Sequence, residues 1–277
     1  MKTRPVLAAV LLALLPTFSA AAVPGVTVSV AYAGSLVATM EGPLKFALAR
    51  QTGLRFAGEA KGSRALANLI SAGLRTPDVF ISADPALVAR LRALRLVDGY
   101  TVFGSARMVI AYSAKSPRHA LFERAAAGKL SILDVLASPS VRVGRTDPLL
   151  DPKGARTIRV LHLLGKHFHD AAKAQMVERK AETFPEEDLA VRVESGEIDA
   201  GFFYSTEVPG RDLHEIELPS DANLSHDIRY AIAVMNSAPH MQAARTFARF
   251  LLTGAGKPIL EKAGVRYFAH PRTYGRL

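Results

Sequence analysis

The chain has 277 residues, 49% of them hydrophobic and 22% charged, enough apolar material for a buried core and too much for an intrinsically disordered chain. Cysteine and tryptophan are both absent, which excludes disulfides, thiolate metal sites, iron–sulfur clusters and cysteine nucleophiles together. Lys and Arg number 35 against 25 Asp and Glu, a formal charge of +10 that favours anionic partners without saying which.

The start reads as a signal peptide over residues 1–22. Lys2 and Arg4 precede an apolar run from Val6 to Leu15, then Pro16 and the small residues Ser19 to Ala22, with cleavage expected after Ala22. The run is short of the roughly 20 apolar residues that span a bilayer, so an uncleaved anchor is the competing reading. No later segment reads as transmembrane, and with no cysteine there is none to carry a lipid anchor. The mature chain is expected to be exported, periplasmic, soluble and monomeric.

Val26 to Tyr32 (VTVSVAY) reads as the first strand, stopping at Ala33-Gly34-Ser35 before a helical pattern that runs past Pro43 to Gly53. Leu54 to Gly58 is a second strand, and Gly62-Ser63 precedes a helix carrying Leu66, Leu69 and Ile70 on one face. Asp78 to Ser82 (DVFIS) is a third strand, and Asp84-Pro85 opens a helix through Arg95. Three strand–helix units with short turns imply a parallel sheet covered by helices. Met108 to Tyr112 is the next strand, and the pattern then restarts. A helix at Ile132 to Leu136, a strand at Val141 to Gly144, helices at Thr157 to His169 and Asp188 to Ser195, and strands at Ala200 to Tyr204 and Ile228 to Met235 follow. Helices at Met241 to Leu252 and Gly256 to Lys262 close the chain. The expected fold is α/β with two lobes, each a mainly parallel sheet flanked by helices, linked by two hinge strands. Residues 26–105 with 229–277 form one lobe and 106–228 the other, and ligands of such sheets sit beyond the carboxyl ends of strands.

At Gly34-Ser35 and at Gly62-Ser63 a strand ends and a helix starts with a serine. Helix starts expose unpaired N–H groups and partial positive charge, serine adds a hydroxyl donor, and glycine lets backbone approach an ion. Ordinary capping accounts for each junction alone; two on one sheet edge suggest an anion receptor without formal charge. Asp84-Pro85 reads as a plain cap. The polar stretch Gly144 to Thr157 should be a cleft loop, stiffened by two Asp-Pro steps. There Asp151 could approach a metal centre or cap the coming helix, while Arg145, Lys153 and Arg156 could attract an anion. Tyr204 ends a buried strand, placing its hydroxyl either at a ligand or simply in water. His162, His167 and His169 lack the i, i+4 spacing of a helical metal site, and the phosphate-loop, dinucleotide and nucleophile-elbow motifs are absent from the sequence.

Taken together, AYAGSL (Ala31–Leu36), EAKGSRALANLI (Glu59–Ile70), DVFISAD (Asp78–Asp84), VRVGRTDPLLDPKGART (Val141–Thr157), SGEIDAGFFY (Ser195–Tyr204) and IELP (Ile216–Pro219) resemble motifs of the molybdate/tungstate-binding proteins of ABC transporters, archaeal branch. The tail FARFLLTGAGKPILEKAGV (Phe247–Val265) is similar to the closing helices of many solute-binding proteins. The resemblance implies a two-lobe, type II solute-binding fold, no enzymatic activity and no cofactor. It implies capture of molybdate or tungstate between the lobes and delivery to an ABC permease. Carried over position by position, it assigns Ser35, Ser63, Asp151 and Tyr204 to the ligand, and the reading of the two strand-to-helix junctions adds Gly34 and Gly62. Two positions depart from the family pattern. Phe203 stands where a second carboxylate is common, so one carboxylate at most and ordinary tetrahedral recognition are expected. Lys153 stands where a cysteine is common and adds a cation near the site.

Molybdate and tungstate are proton-free dianions near neutral pH, so a pocket made only of donors suits them. Sulfate is also proton-free but smaller, while phosphate keeps a proton that calls for an acceptor. Receptors for sulfate, phosphate or a small organic anion are therefore the alternative within the binding class. An exported esterase or phosphatase using Ser35 or Ser63 lacks a spaced histidine base. Nucleic-acid binding lacks interleaved aromatic and basic residues.

Overall fold

The computed structural model describes residues 25–277; the expected signal peptide lies outside the described residues. Two sheets are present, each flanked by helices. The first contains β1 (Thr27–Ala33), β2 (Arg55–Lys61), β3 (Val79–Ser82), β4 (Gly99–Ser105), β10 (Arg229–Val234) and β11 (Arg266–Gly275), in the order β11-β4-β10-β3-β1-β2. The second contains β5 (Met108–Tyr112), β6 (Val143–Thr146), β7 (Glu182–Phe184), β8 (Ala200–Tyr204) and β9 (His214–Glu217), in the order β7-β6-β8-β5-β9. The chain crosses between them twice, from Ser105 to Met108 and from Glu217 to Arg229.

The expected parallel arrangement holds among β1, β2 and β3 and among β6, β7 and β8. By hydrogen-bonded neighbours, however, both sheets are mixed. β10 is antiparallel to β3 and β4, and β5 is antiparallel to β8 and β9. Each of these is the first strand the chain builds after crossing to a new sheet, so it enters against the direction of the strands it joins.

β3 (VFIS) is buried at every residue because helices cover both faces of its sheet. On one face α3 (Ser63–Ser71) and α4 (Pro85–Ala93) bring Leu66, Ile70, Val88 and Leu91 onto Phe80. On the other, α2 (Lys45–Thr52) and α10 (Met241–Leu252) bring Leu48, Phe247 and Leu251 onto Val79 and Ile81. Each such side chain stabilises the fold by roughly 1.5–3 kcal/mol through removal from water. The second sheet carries α5 (His119–Ala126), α6 (Ile132–Ala137), α7 (Pro152–His167), α8 (Ala171–Lys180) and α9 (Glu186–Glu194). α11 (Gly256–Lys262) packs beside α10.

The helix expected after β1 is broken into a 3-10 turn (Gly34–Leu36), the short α1 (Val37–Thr39), a π turn (Met40–Leu44) and then α2. Gly42 leaves the helical region (φ −98°, ψ −115°) because Pro43 follows, and the residue before a proline is pushed out of it. Gly53 closes α2 with φ 71°, as its position suggests. α7 begins at Pro152 rather than Thr157, and α9 at Glu186 rather than Asp188.

Candidate functional site

Three helix starts converge on one groove of about 420 Å³ between the two sheets. Gly62 precedes α3, Asp151 precedes α7 and Pro185 precedes α9; all three line the groove together with Glu186. Each start presents N–H groups without intrahelical acceptors and the positive end of a helix dipole. In α3 the Ala65 and Leu66 N–H groups donate to the carbonyls of Leu150 and Gly62, while those of Ser63 and Arg64 have no intrahelical acceptor.

Neither serine caps its helix. Gly62 is the N-cap residue of α3 and Ser63 the first helical one. The Ser63 Oγ accepts from the Ala83 N–H (3.1 Å), which leaves the hydroxyl proton for another acceptor. Ser35 lies in the 3-10 turn with its Oγ 3.0 Å from the Tyr230 hydroxyl, which is 2.9 Å from the Thr206 Oγ1. Two contacts among three hydroxyls leave one proton uncommitted. A register shift at Tyr230/Ala231 marks a bulge where β10 pairs with β4.

Asp151 does cap α7: its Oδ1 accepts from the Lys153 N–H at 3.0 Å. Its Oδ2 is buried without a hydrogen-bond partner, in a residue only 4% exposed. The Thr146 Oγ1 is likewise buried and unpartnered. A buried polar atom in this condition costs about 1–3 kcal/mol, and both residues line the groove.

Gly34 meets a carboxylate. Its N–H donates to Glu186 Oε2 at 3.0 Å, and a Cβ on it would stand 2.7 Å from that oxygen. Its lack of a side chain thus accommodates Glu186 at the start of α9. Lys153, expected to attract an anion, is instead completely buried and committed to Glu207 (2.6 Å) and Glu186 (3.6 Å). Burial would lower its pKa, but Glu207, Glu186 and Asp151 outweigh it and hold the ammonium above the ordinary lysine range. Burial pushes the Glu186 carboxyl well up, and neighbouring Asp151 adds to this. Glu207 also accepts from the Tyr204 N–H at 2.7 Å. The Tyr204 hydroxyl accepts from Arg156 (2.6 Å), and burial keeps the phenol protonated and able to donate.

Besides Asp151, two further carboxylates, Glu186 and Glu207, are buried around Lys153. The two departures from the family pattern touch each other, since the Lys153 Nζ lies 5.4 Å from the Phe203 ring centre. Of the six predicted residues, Gly62 and Asp151 line the groove directly. Gly34 joins them through Glu186 and Tyr204 through Glu207. Ser35 and Ser63 are buried beside their glycines, hydrogen-bonded to neither Asp151 nor Tyr204. Glu186, Glu207, Thr206 and Tyr230 were not singled out from sequence. Glu186 sits in the acidic run Glu186-Glu187-Asp188, which reads as a solvated helix start; its proline neighbour at the N-cap was the one available clue.

The profile of bacterial extracellular solute-binding proteins matches residues 28–266. The chain belongs to that family. One relative of this solute-binding protein, from Haloferax volcanii, is named an ABC transporter molybdenum-binding protein. It is 34% identical over 199 residues, covering 72% of this chain and 62% of the relative, less than two thirds of its length. The molybdate/tungstate-binding protein WtpA of Pyrococcus abyssi is 25% identical over 270 residues, covering 80% of this chain and 77% of the relative. Among solved structures, the periplasmic molybdate-binding protein of Azotobacter vinelandii shares the fold at a TM-score of 0.67 and 17% identity. That match covers 86% of this chain and 98% of the other. Among the described residues of the solute-binding protein, no helix is long and apolar enough to cross a membrane. None of their His, Asp and Glu groups is arranged to hold a metal ion.

Proposed function

We propose that this solute-binding protein captures molybdate or tungstate in the groove between its two sheets and delivers it, in the periplasm, to an ABC permease. The observation that carries the reading is the convergence of the α3, α7 and α9 starts on one groove beside the unpartnered Asp151 Oδ2. Dipole ends and spare hydroxyl protons suit a proton-free dianion. The names of the Haloferax and Pyrococcus relatives support the choice of ion.

In this reading residues 26–105 with 229–277 and residues 106–228 are two lobes that close on the ion about the two crossings. Ser35, Ser63 and Tyr204 contribute hydroxyl donors, Gly34 and Gly62 allow close backbone approach, and Asp151 faces the metal centre of the oxyanion. A carboxylate oxygen there is repelled by sulfate or phosphate and tolerated by a centre that can accept it as a ligand. The protein acts as a monomer, and no catalytic step is involved.

A thermal-shift panel tests the reading. A ligand that binds only the native state stabilises it by about 4 kcal/mol at a thousandfold excess over Kd. Molybdate and tungstate are expected to raise Tm well above sulfate or phosphate at equal concentration. A shift by sulfate or phosphate alone would transfer the site to the alternative oxyanion reading.

A further inference from the structure

Building on the reading of the groove as an oxyanion site, we infer that Lys153 is a positioning residue for capture. Its buried ammonium ties the carboxylate that holds Gly34 to the carboxylate that holds Tyr204, so that joining the two sheets and assembling the site become one event.

Lys153 lies in the first turn of α7, where the positive end of the helix dipole disfavours a cation. It is nevertheless completely buried, so its neighbours must supply the reason. Its Nζ donates to Glu207 Oε1 (2.6 Å) and lies 3.6 Å from Glu186 Oε1, while its own N–H donates to Asp151 Oδ1. The remaining oxygens of the two glutamates face opposite ways. Glu186 Oε2 accepts from the Gly34 N–H at the end of β1, in the first sheet, and Glu207 Oε2 accepts from the Tyr204 N–H at the end of β8, in the second.

The result is one continuous polar chain, Gly34 to Glu186 to Lys153 to Glu207 to Tyr204, between two strand ends 170 residues apart in sequence numbering. The rings of Phe203 and Tyr204, at 5.4 and 5.9 Å, cover the ammonium and fix where it can point. The same charge offsets part of the repulsion that Glu186 and Glu207 would exert on a dianion at Asp151. Separating the sheets breaks the Gly34 contact and leaves Glu186 held only through Lys153; rejoining them remakes it in the geometry that Lys153 has kept.

The test uses Lys153→Met and the double variant Lys153→Met/Glu207→Gln, whose amide oxygen can still accept from the Tyr204 N–H. Removing both charges of a buried pair is better tolerated than removing one, so the double variant separates folding from function. Molybdate is expected to bind both variants at least about tenfold more weakly than wild type, with the change in the release rate rather than the association rate. Glu186→Ala, which removes both the link to Gly34 and the Lys153–Glu186 contact, is expected to speed release in the same way.

Molybdate affinity in the double variant within about threefold of wild type, or wild-type release from Glu186→Ala, would overturn the role of Lys153 and leave the oxyanion reading standing. Absence of molybdate and tungstate binding by the wild type would instead remove the reading itself, and this inference with it.

Discussion

The carbonyl oxygen of Leu150 accepts from the N–H of Ala65 at 3.0 Å, joining the loop before α7 to the first turn of α3 across the gap between the sheets. The approach is possible because Gly62 stands behind it: a Cβ there would come 2.7 Å from that oxygen and 3.1 Å from the Asp151 Cβ. Gly62→Ala is therefore expected to hold the sheets apart. Overpacking of this kind costs about 1–3 kcal/mol, equivalent to roughly 5- to 150-fold in affinity if it falls on closure. Titration calorimetry should show weaker molybdate binding with little change in the Tm measured without ion. Unchanged affinity would mean that the contact is not part of capture.

Asp151→Asn keeps the helix cap, since an amide oxygen still accepts from Lys153, but removes the charge on the unpartnered side. Sulfate should then bind more tightly, and the preference for molybdate over sulfate should shrink by about tenfold, the scale of 1.4 kcal/mol. Competition titrations measure the ratio. A preference that stays put would take Asp151 out of ion selection.

Tyr204→Phe removes one donor and leaves Arg156 with its contact to the Asp227 carbonyl. Oxyanion affinity is expected to fall about tenfold, consistent with the roughly 1.5–3 kcal/mol of a hydrogen bond to a charged group. Circular dichroism should remain that of the wild type. Full affinity would assign the hydroxyl to holding Arg156 alone.

Asp78 is buried at the start of β3 and accepts from the Ser29 N–H and hydroxyl (2.8 Å each) and from the His240 N–H (2.8 Å). Burial raises its pKa, but these donors prevail and hold it below the usual aspartate range. Arg142 and Ser116 do the same for Asp199. A carboxylate depressed in the folded state contributes stability that is present above the unfolded pKa and lost as pH falls through the folded one. Glu186 has the opposite sign. Its raised carboxyl takes up a proton in the folded state first, so its contribution grows as pH falls from the raised value toward the ordinary range near about 4.3. Chemical denaturation against pH should show Asp78→Asn about 2–3 kcal/mol less stable at pH 7, with the difference closing below about pH 4. A difference constant into strong acid would contradict the assignment.

Much of this architecture is legible in the sequence because it rests on short-range signals. Asp84-Pro85 and Asp151-Pro152 cap α4 and α7, and Gly53 closes α2. VFIS at Val79–Ser82 has the run of apolar residues that burial on both faces requires. The sequence pattern does not mark β4, β7, β9 or β11 as strands. β4 is bounded and interrupted by glycines, and β11 is largely exposed, with Pro271 inside it. Nor does the pattern mark α5 or α8 as helices. In the site, the glycine–serine junctions were visible from strand-to-helix punctuation. The Lys153–Glu186–Glu207 cluster was not, because its three members come from α7, α9 and the turn after β8 and meet only through the sheet order. A buried lysine and a solvated one read alike in sequence.

The most direct measurement is a crystal structure of the protein with tungstate, located by anomalous scattering from the metal. The account predicts one strong peak in the groove lined by Gly62, Asp151 and Glu186, with oxyanion oxygens within hydrogen-bond distance of the start of α3. A peak elsewhere on the molecule, or none at saturating tungstate with the groove filled by solvent, would contradict it.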